Sequence, residues 1–272
     1  MQFTKMHGIG NDFIVVDAFH NEIENPSALA KRICSRHFGI GGDGLILMCP
    51  SDRADATMRI FNSDGSEPEM CGNGIRCAAK FLYDMGLVRK TEMTIDTLAG
   101  IKPITLQVQD GRCTSVTVDM GEPELVPAKI PVAAESNRIR VELGGREVEF
   151  FCVSMGTPHA VTFDLFPDDE DFLIFGRQME NHPLFPAKAN IEFCRVEDRE
   201  NITVKVWERG DGPTLACGTG SCAVLCAAHS LGLAERSANI HLPGGTLRDQ
   251  WMEDHRIRMT GPAETVFTGE IE

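Results

Sequence analysis

The sequence predicts an α+β protein of two similar domains, each a mixed, mostly antiparallel sheet wrapped around a central helix. One observation is a motif that occurs twice: MCGNGIRC at residues 70–77 and ACGTGSCAVL at residues 216–225. A glycine-rich segment led by cysteine is poor material for the middle of a helix and good material for its start. The second observation is that each motif continues into a segment apolar on most of its circumference. Such a helix belongs inside a sheet that encloses it.

One offset relates the two halves of the chain. Cys71 and Cys217 are 146 residues apart, and the same offset relates other segments without a gap from Gly10 to Leu233. These segments are Gly10 with Gly156, residues 58–62 with 204–208, and residues 86–87 with 232–233. A constant offset over this length indicates an internal duplication. We therefore expect domains at residues 1–120 and 121–262, with residues 263–272 returning to the first.

Both copies show the same order of predicted elements. Apolar periodicity predicts helices over residues 26–36 and 172–180 and after each of the two cysteines. Glycines at positions 86 and 232 suit the C-terminal ends of the latter two. Predicted strands cover residues 13–16, 45–49, 56–61, 93–97, 104–109, 115–119, 139–143, 160–163, 191–196 and 202–207.

Composition narrows the possible partners and location. The net charge of −14 argues against a nucleic acid or an anionic membrane as partner. No apolar run long enough for a membrane span or a signal peptide is visible. Ten cysteines without a C-x-x-C pair indicate reduced thiols in a cytoplasm, and they do not have the spacing of a zinc site.

The two repeated cysteines suggest acid–base chemistry. Two similar domains facing each other would bring Cys71 and Cys217 to opposite walls of one cleft. A helix N-terminus favours the thiolate and can lower the pKa of a cysteine. One thiolate could remove a proton from a tetrahedral carbon, and the opposed thiol could deliver one to its other face. Amides at residues 72–73 and 218–219 could hold a carboxylate on the same carbon.

The motifs resemble those of the diaminopimelate epimerase family over essentially the whole chain. They are MCGNGIRC, ERGDGPTLACGTGSCA, HGIGNDF and FNSDGSE. The resemblance implies a pair of similar domains and a reaction that interconverts LL- and meso-diaminopimelate for lysine and cell-wall precursors. It implies two cysteines, no cofactor, no metal, a small-molecule substrate and a homodimer.

Carried over residue by residue, the resemblance implies a set of site residues. The catalytic residues are Cys71, Cys217, His159 and Glu208. The substrate-binding residues are Asn11, Asn62, Gly72, Asn73, Asn190, Glu208, Arg209, Gly218 and Thr219. Two further positions depart from the commonest pattern, because Thr157 replaces an asparagine and Gly44 a glutamine. At the offset of 146 residues Thr157 corresponds to Asn11, and Gly44 corresponds to Asn190.

Other functions remain open at this point. A proline or hydroxyproline racemase would also use two cysteines, but usually carries histidine where this chain has Asn73. A thiol redox protein would join Cys71 to Cys217, and an amino-acid binding module would need neither thiol. The segment GIGGDG at residues 39–44 has the letters of a dinucleotide motif, but the predicted helix precedes it and the strand follows it. A helix-to-strand turn explains it better.

Overall fold

The computed structural model describes residues 1–271 and contains two compact units. The first unit comprises Met1–Asp119 together with the segment from Thr260 onward, and the second comprises Met120–Met259. Of the segment that we expected to return to the first domain, residue 272 lies outside the described residues.

The helices are α1 (Pro26–Ile33), α2 (Gly72–Asp84), α3 (Asp169–Glu180) and α4 (Gly218–Ser230), with a short 3₁₀ helix at Pro127–Lys129. The strands are β1 (Gln2–Gly8), β2 (Asn11–Asp17), β3 (Gly44–Cys49), β4 (Ala56–Asn62), β5 (Glu92–Thr97), β6 (Gly100–Gln109), β7 (Arg112–Gly121), β8 (Arg138–Leu143), β9 (Arg146–Ser154), β10 (Pro158–Thr162), β11 (Asn190–Asp198), β12 (Asn201–Glu208), β13 (Gly212–Pro213), β14 (Ser237–Leu242), β15 (Gly245–Trp251), β16 (Ile257–Gly261) and β17 (Glu264–Glu270).

The first unit is a mixed sheet around α2. Its strands follow the order β17-β1-β2-β3-β4-β5-β6-β7. The β2–β3 and β4–β5 pairs are parallel, and the other pairs in this series are antiparallel. Helix α2 contacts β1, β2, β3, β4 and β6, so the sheet curls around it.

The second unit repeats this series of directions. Its order is β8-β9-β10-β11-β12-β14-β15, with β10–β11 and β12–β14 parallel and the other pairs antiparallel. Helix α4 contacts β9, β10, β11, β14 and β15. The position that β8 fills in this unit is filled in the first unit by β17, the last strand of the chain. The predicted fold class is therefore confirmed in each unit.

The strand registers follow the sequence offset. Phe13 pairs with Gly44 between β2 and β3, and His159 pairs with Asn190 between β10 and β11. Both residues of the second pair lie 146 positions after those of the first. A one-residue slip would turn every side chain to the opposite face, so equal registers place equivalent positions on equivalent faces.

The central helices are buried as their sequences predict. In α4 almost every residue from Gly218 to Ala228 is buried, and α2 is buried from Gly72 to Leu82. Gly86 and Gly232 have φ angles of 73° and 74°, which only glycine adopts readily after a helix end. Cys77, Cys222 and Cys226 lie in these apolar helix bodies, as expected.

Two features differ from the expectations. Helix α1 ends at Ile33 and not at residue 36, because the chain turns there: the amides of Ile40 and Gly41 donate to the carbonyl of Ile33. The sequence patterns did not identify the strands β13–β16.

Among residues 1–271, no helix is long and apolar enough to cross a membrane.

Because several thiols are buried, we expect the folded protein to lose stability at alkaline pH. Burial raises the pKa of Cys77, Cys152 and Cys226 from 9.0 to about 12. The folded state therefore holds these protons more tightly than the unfolded state. Their stabilisation is complete below about pH 9 and is lost as the pH rises toward 12.

The check is urea unfolding of the reduced protein and of Cys226→Ala at pH 7.5 and 10.5. The wild type should lose roughly 1–2 kcal/mol more between these pH values than the variant, because the variant has one buried thiol fewer. Equal losses in the two proteins would contradict this explanation.

Candidate active site

Cys71 caps the N-terminus of α2. Its backbone is extended (φ −134°, ψ 122°), and its Sγ accepts a hydrogen bond from the Gly74 amide at 3.4 Å. An N-cap side chain ordinarily uses an oxygen for this bond, because the first helical amides lack intrahelical acceptors. Here a sulfur takes that place. The glycines at 72 and 74 leave the helix start without bulky side chains.

Cys217 caps α4 in the same way. Its backbone is again extended (φ −127°, ψ 110°), and its Sγ accepts the Gly220 amide at 3.3 Å. The two sites differ in exposure: Cys71 is partly exposed, whereas Cys217 is buried. Each unit therefore places a thiol against the amides of its own central helix.

In the first unit, Asn11 lies beside the thiol. The Cys71 Sγ donates to the Asn11 Oδ1 at 3.7 Å, and the Asn73 Nδ2 donates to the same oxygen at 3.2 Å. The Asn11 Nδ2 donates to Asp43 at 2.7 Å, and Arg36 forms an ion pair with Asp43 at 2.8 Å. Asp43, which the sequence suggested was only a turn residue, thus orients the amide of Asn11.

In the second unit, three polar side chains surround Cys217. The Asn190 Nδ2 lies 3.8 Å from its Sγ, and the Thr219 Oγ1 lies 3.4 Å from it. The carboxylate of Glu208 lies near enough to raise the pKa of the thiol, and it accepts from the Thr214 hydroxyl at 2.5 Å. The structure therefore brings Glu208, Asn190, Thr219 and Cys217 together.

Burial dominates the electrostatics at Cys217. Burial raises the pKa of Cys217 well above its ordinary value, and the carboxylates of Glu208 and Glu192 raise it further. The Thr219 hydroxyl and the Gly220 amide act in the opposite direction but do not outweigh the burial. The expectation that the helix start lowers the pKa is therefore wrong for Cys217. Burial also raises the pKa of Glu208.

The turn after β12 carries Glu208 and Arg209. The Arg209 amide donates to the Asn190 Oδ1 at 2.8 Å, and its Nη1 donates to the carbonyl of Ala187 at 2.9 Å. Glu180 stabilises this turn, because its carboxylate accepts from the Gly210 amide at 3.1 Å and from the Trp207 indole at 2.8 Å. Sequence analysis did not identify Glu180 as a support for this turn.

His159 forms a fully buried pair with Glu192. The His159 Nδ1 lies 2.6 Å from the Glu192 Oε1, and neither side chain is exposed. Glu192 lies in the apolar run of β11, where the sequence suggested only a strand. The duplication could have indicated Glu192, because the equivalent position in the first unit holds the apolar Ile46 and an acidic residue there is a marked difference.

The described contacts of three predicted residues include neither cysteine. Asn62 is exposed at the end of β4 and donates to the Ser66 hydroxyl at 3.0 Å. Thr157 lies in the turn between β9 and β10, where its carbonyl accepts the Met155 amide at 3.2 Å. A Cβ at Gly44 would lie 2.8 Å from the carbonyl oxygen of Phe61, so a longer side chain there would have to displace β4.

Within residues 1–271, no three His, Cys, Asp or Glu side chains are grouped so that they could hold a metal ion. GIGGDG links α1 to β3, so it lacks the strand-then-helix context of a dinucleotide site.

Solved structures define the fold. A hydroxyproline epimerase from Agrobacterium vitis, with bound trans-4-hydroxy-L-proline, matches with a TM-score of 0.73 and 18% identity. The match covers 99% of this chain and 91% of that one. A phenazine biosynthesis protein of the PhzF family from Bacillus anthracis matches with a TM-score of 0.67 and 18% identity, over 100% of this chain and 99% of that one. The chain thus has the fold of these proteins over its whole length.

Sequence comparisons are more specific. A family model described as diaminopimelate epimerase matches residues 3–126 and 151–266. The diaminopimelate epimerase of Acetivibrio thermocellus is 52% identical, over 100% of this chain and 99% of that protein. The one from Methanococcus maripaludis strain S2 is 51% identical, over 100% of both chains. The chain belongs to the diaminopimelate epimerase family.

The two helix starts predict different tolerance to a methyl group. A Cβ at Gly220 would lie 2.8 Å from the Glu192 Oε1 and 3.2 Å from the Cys217 Sγ. At the equivalent Gly74, the nearest atoms are methyl ends of Ile60 and Ile46 at 3.1 and 3.3 Å. Gly220→Ala should therefore cost about 1–3 kcal/mol in the free energy of unfolding, measured in urea. Gly74→Ala is the matched control.

Both substitutions occupy the third position of a helix, so any gain from helix propensity is shared. We expect Gly74→Ala to stay within about 1 kcal/mol of wild type, because isoleucine ends can move. Equal costs at the two positions would contradict the crowding at Gly220.

Proposed function

We propose that this protein interconverts LL-2,6-diaminopimelate and meso-2,6-diaminopimelate by moving a proton at one α-carbon, without a cofactor. The observation that carries the proposal is the repeated helix start, in which a cysteine sulfur accepts an amide hydrogen bond at both central helices. Membership of the diaminopimelate epimerase family supports the choice of substrate.

Cys71 and Cys217 act as the acid–base pair. One thiolate takes the α-proton and becomes a thiol, and the electron pair left on carbon is delocalised into the α-carboxylate. The other thiol then gives its proton to the opposite face of the carbon and becomes a thiolate. After one conversion the first cysteine is a thiol and the second a thiolate, which is the state that starts the reverse reaction. Exchange of one proton from the first cysteine to solvent and one from solvent to the second restores the state for another forward conversion.

The α-carboxylate binds at the helix starts. Gly72 and Asn73 occupy the first two positions of α2, and Gly218 and Thr219 occupy those of α4. Amides at these positions have no intrahelical acceptor, and the helix dipole favours negative charge beside them. They would stabilise the extra charge on the carboxylate as the proton leaves.

The raised pKa of Cys217 assigns its starting state. Because burial and two carboxylates disfavour the thiolate there, Cys217 holds its proton in the resting enzyme and begins as the acid. The negative charge of Glu208 raises the pKa of this thiol and so stabilises its protonated form. Cys71 then begins as the base, and His159 assists the exchange of protons.

The distal amine and carboxylate bind to the remaining polar groups. Arg209 offers a guanidinium for the distal carboxylate, since planar forked donors suit carboxylates. Glu208 and the amide side chains of Asn11, Asn62 and Asn190 supply acceptors for ammonium groups. Thr157 has a hydroxyl to offer, whereas Gly44 has no side chain that could bind the substrate. A substrate with one carboxylate would leave Arg209 without a carboxylate to bind.

The proposal extends to the setting of the enzyme. We propose a cytoplasmic homodimer that acts on free diaminopimelate in lysine and cell-wall precursor synthesis. The net charge of −14 supports a small-molecule substrate over nucleic acid or an anionic membrane.

The proposal is tested by incubating the reduced protein with LL-diaminopimelate and following the meso isomer by chiral chromatography. Formation of the meso isomer to equilibrium is the expected result. L-Proline and trans-4-hydroxy-L-proline serve as controls. Their racemisation or epimerisation, with diaminopimelate unchanged, would overturn the substrate assignment.

Loss of either thiol should stop the reaction. Cys71→Ala and Cys217→Ala should each lower kcat by about 10²–10⁴-fold, the usual effect of removing a general acid or base. The control is Cys226→Ala, in the buried body of α4, which should change kcat only a few-fold. Activity within tenfold of wild type in either catalytic variant would contradict the two-thiol assignment.

Removing the guanidinium of Arg209 should weaken binding of the distal carboxylate. We expect Arg209→Gln to raise KM for diaminopimelate roughly tenfold or more, because a hydrogen bond to a charged group is lost. Arg195→Gln, at an exposed ion pair with Glu197, is the matched control. An unchanged KM in Arg209→Gln would show that Arg209 does not bind this carboxylate.

A further inference from the structure

The Glu192 side chain makes its one described hydrogen bond to His159. The two residues lie on the neighbouring parallel strands β10 and β11, and the His159 Nδ1 is 2.6 Å from the Glu192 Oε1. Both side chains are completely buried. Glu192 also lies against the start of α4, because a Cβ at Gly220 would be 2.8 Å from its Oε1.

The first unit shows that the fold does not need this pair. At the offset of 146 residues, Phe13 corresponds to His159 and Ile46 to Glu192, in the same strand register. Ile46 lies against Gly74 at the start of α2, as Glu192 lies against Gly220 at the start of α4. The same architecture is therefore built once with an apolar pair and once with a titratable pair.

The titratable version carries an energetic cost. Removing two polar groups from water is unfavourable, and replacing a buried ion pair by well-packed hydrophobic residues is often neutral or stabilising. Burial raises the pKa of Glu192, and the neighbouring His159 partly opposes this rise. A chemical role for His159 therefore explains the His159–Glu192 pair in the second unit better than a contribution to stability does.

The hydrogen bond determines which ring nitrogen remains available. A carboxylate can only accept a hydrogen bond, so the Nδ1 of His159 carries the proton and donates to Glu192. Nε2 is then the free nitrogen, and within residues 1–271 it is buried without a hydrogen-bond partner. An unpartnered buried nitrogen is costly unless a ligand or a reacting group uses it.

We propose that Glu192 is a positioning residue that holds His159 with its proton on Nδ1 and its Nε2 directed to the substrate site. This inference rests on the proposed function of His159 as an assistant to the cysteines. It adds that the orientation and tautomer of the imidazole are set by a carboxylate outside the set of residues that bind substrate.

The direct test is nitrogen NMR of the reduced protein labelled with ¹⁵N-histidine. The His159 signals are assigned as those missing in His159→Asn. Wild type should show a proton on Nδ1, and Glu192→Ile should lose it in favour of Nε2. Glu180→Gln alters another buried carboxylate, one bonded to Trp207 and Gly210, and should leave the His159 signals unchanged.

Kinetics test the functional consequence. Glu192→Ile should lower kcat for diaminopimelate by about tenfold or more with a smaller change in KM, because Glu192 does not touch substrate. Glu192→Gln keeps an oxygen at the same reach and should recover part of the lost kcat.

Stability separates positioning from packing. The double variant His159→Phe/Glu192→Ile copies the apolar pair of the first unit and should unfold at a urea concentration equal to or above that of wild type, while remaining inactive. Glu192→Ile alone should unfold earlier, because it leaves the buried imidazole without its acceptor.

Three results would overturn the proposal. One is an Nδ1 without a proton in wild type. Another is an unchanged tautomer and kcat in Glu192→Ile. The third is a double variant as active as wild type. The NMR and unfolding measurements use no substrate, so they succeed or fail independently of the reaction assigned above.

Discussion

The hydrogen bond from a helix-start amide to a cysteine sulfur is the interaction on which the rest of the structure depends. It occurs twice, at Cys71 and at Cys217, and it fixes each sulfur against the amides of a buried helix. The sheet of each unit encloses that helix, so the helix cannot shift without disrupting the core. Gly74 and Gly220 are part of the same constraint, because a Cβ there would crowd isoleucine side chains in the first unit and Glu192 and Cys217 in the second. A rigid core thus holds a reactive group at each helix end.

The duplication supplies two equivalent frameworks, and the differences between them supply the chemistry. Equivalent positions hold Asn62 and Glu208, Phe13 and His159, and Ile46 and Glu192. The first unit carries neutral groups at these positions, whereas the second carries titratable ones. Cys217 is accordingly buried beside carboxylates that raise its pKa, while Cys71 is partly exposed beside amide side chains. A pair of thiols that must hold different numbers of protons at rest benefits from this asymmetry, since identical surroundings would give both the same starting state.

Much of the fold followed from one offset. The constant offset of 146 residues predicted the duplication and the equivalence of the helix starts. In the structure, the same offset relates the residue pairs of β2–β3 to those of β10–β11. The electrostatics of the site did not follow from local sequence. A helix start favours a thiolate, but the burial that reverses this at Cys217 comes from residues distant along the chain. Glu192 was missed because one acidic residue in an apolar strand run has the pattern of a half-exposed strand. Comparing it with Ile46 at the same offset would have identified it.

The most direct test of the central claim, that two thiols exchange protons at one carbon, is the fate of the α-proton in D₂O. LL-diaminopimelate with ordinary hydrogen at its α-carbons is converted only to a small extent, and both isomers are then analysed for deuterium. Two separate thiols predict that the meso product carries deuterium at the inverted carbon, while the recovered LL isomer keeps its hydrogen. A product that retains the substrate's own proton would mean that a single group removes and returns it, and would contradict the account.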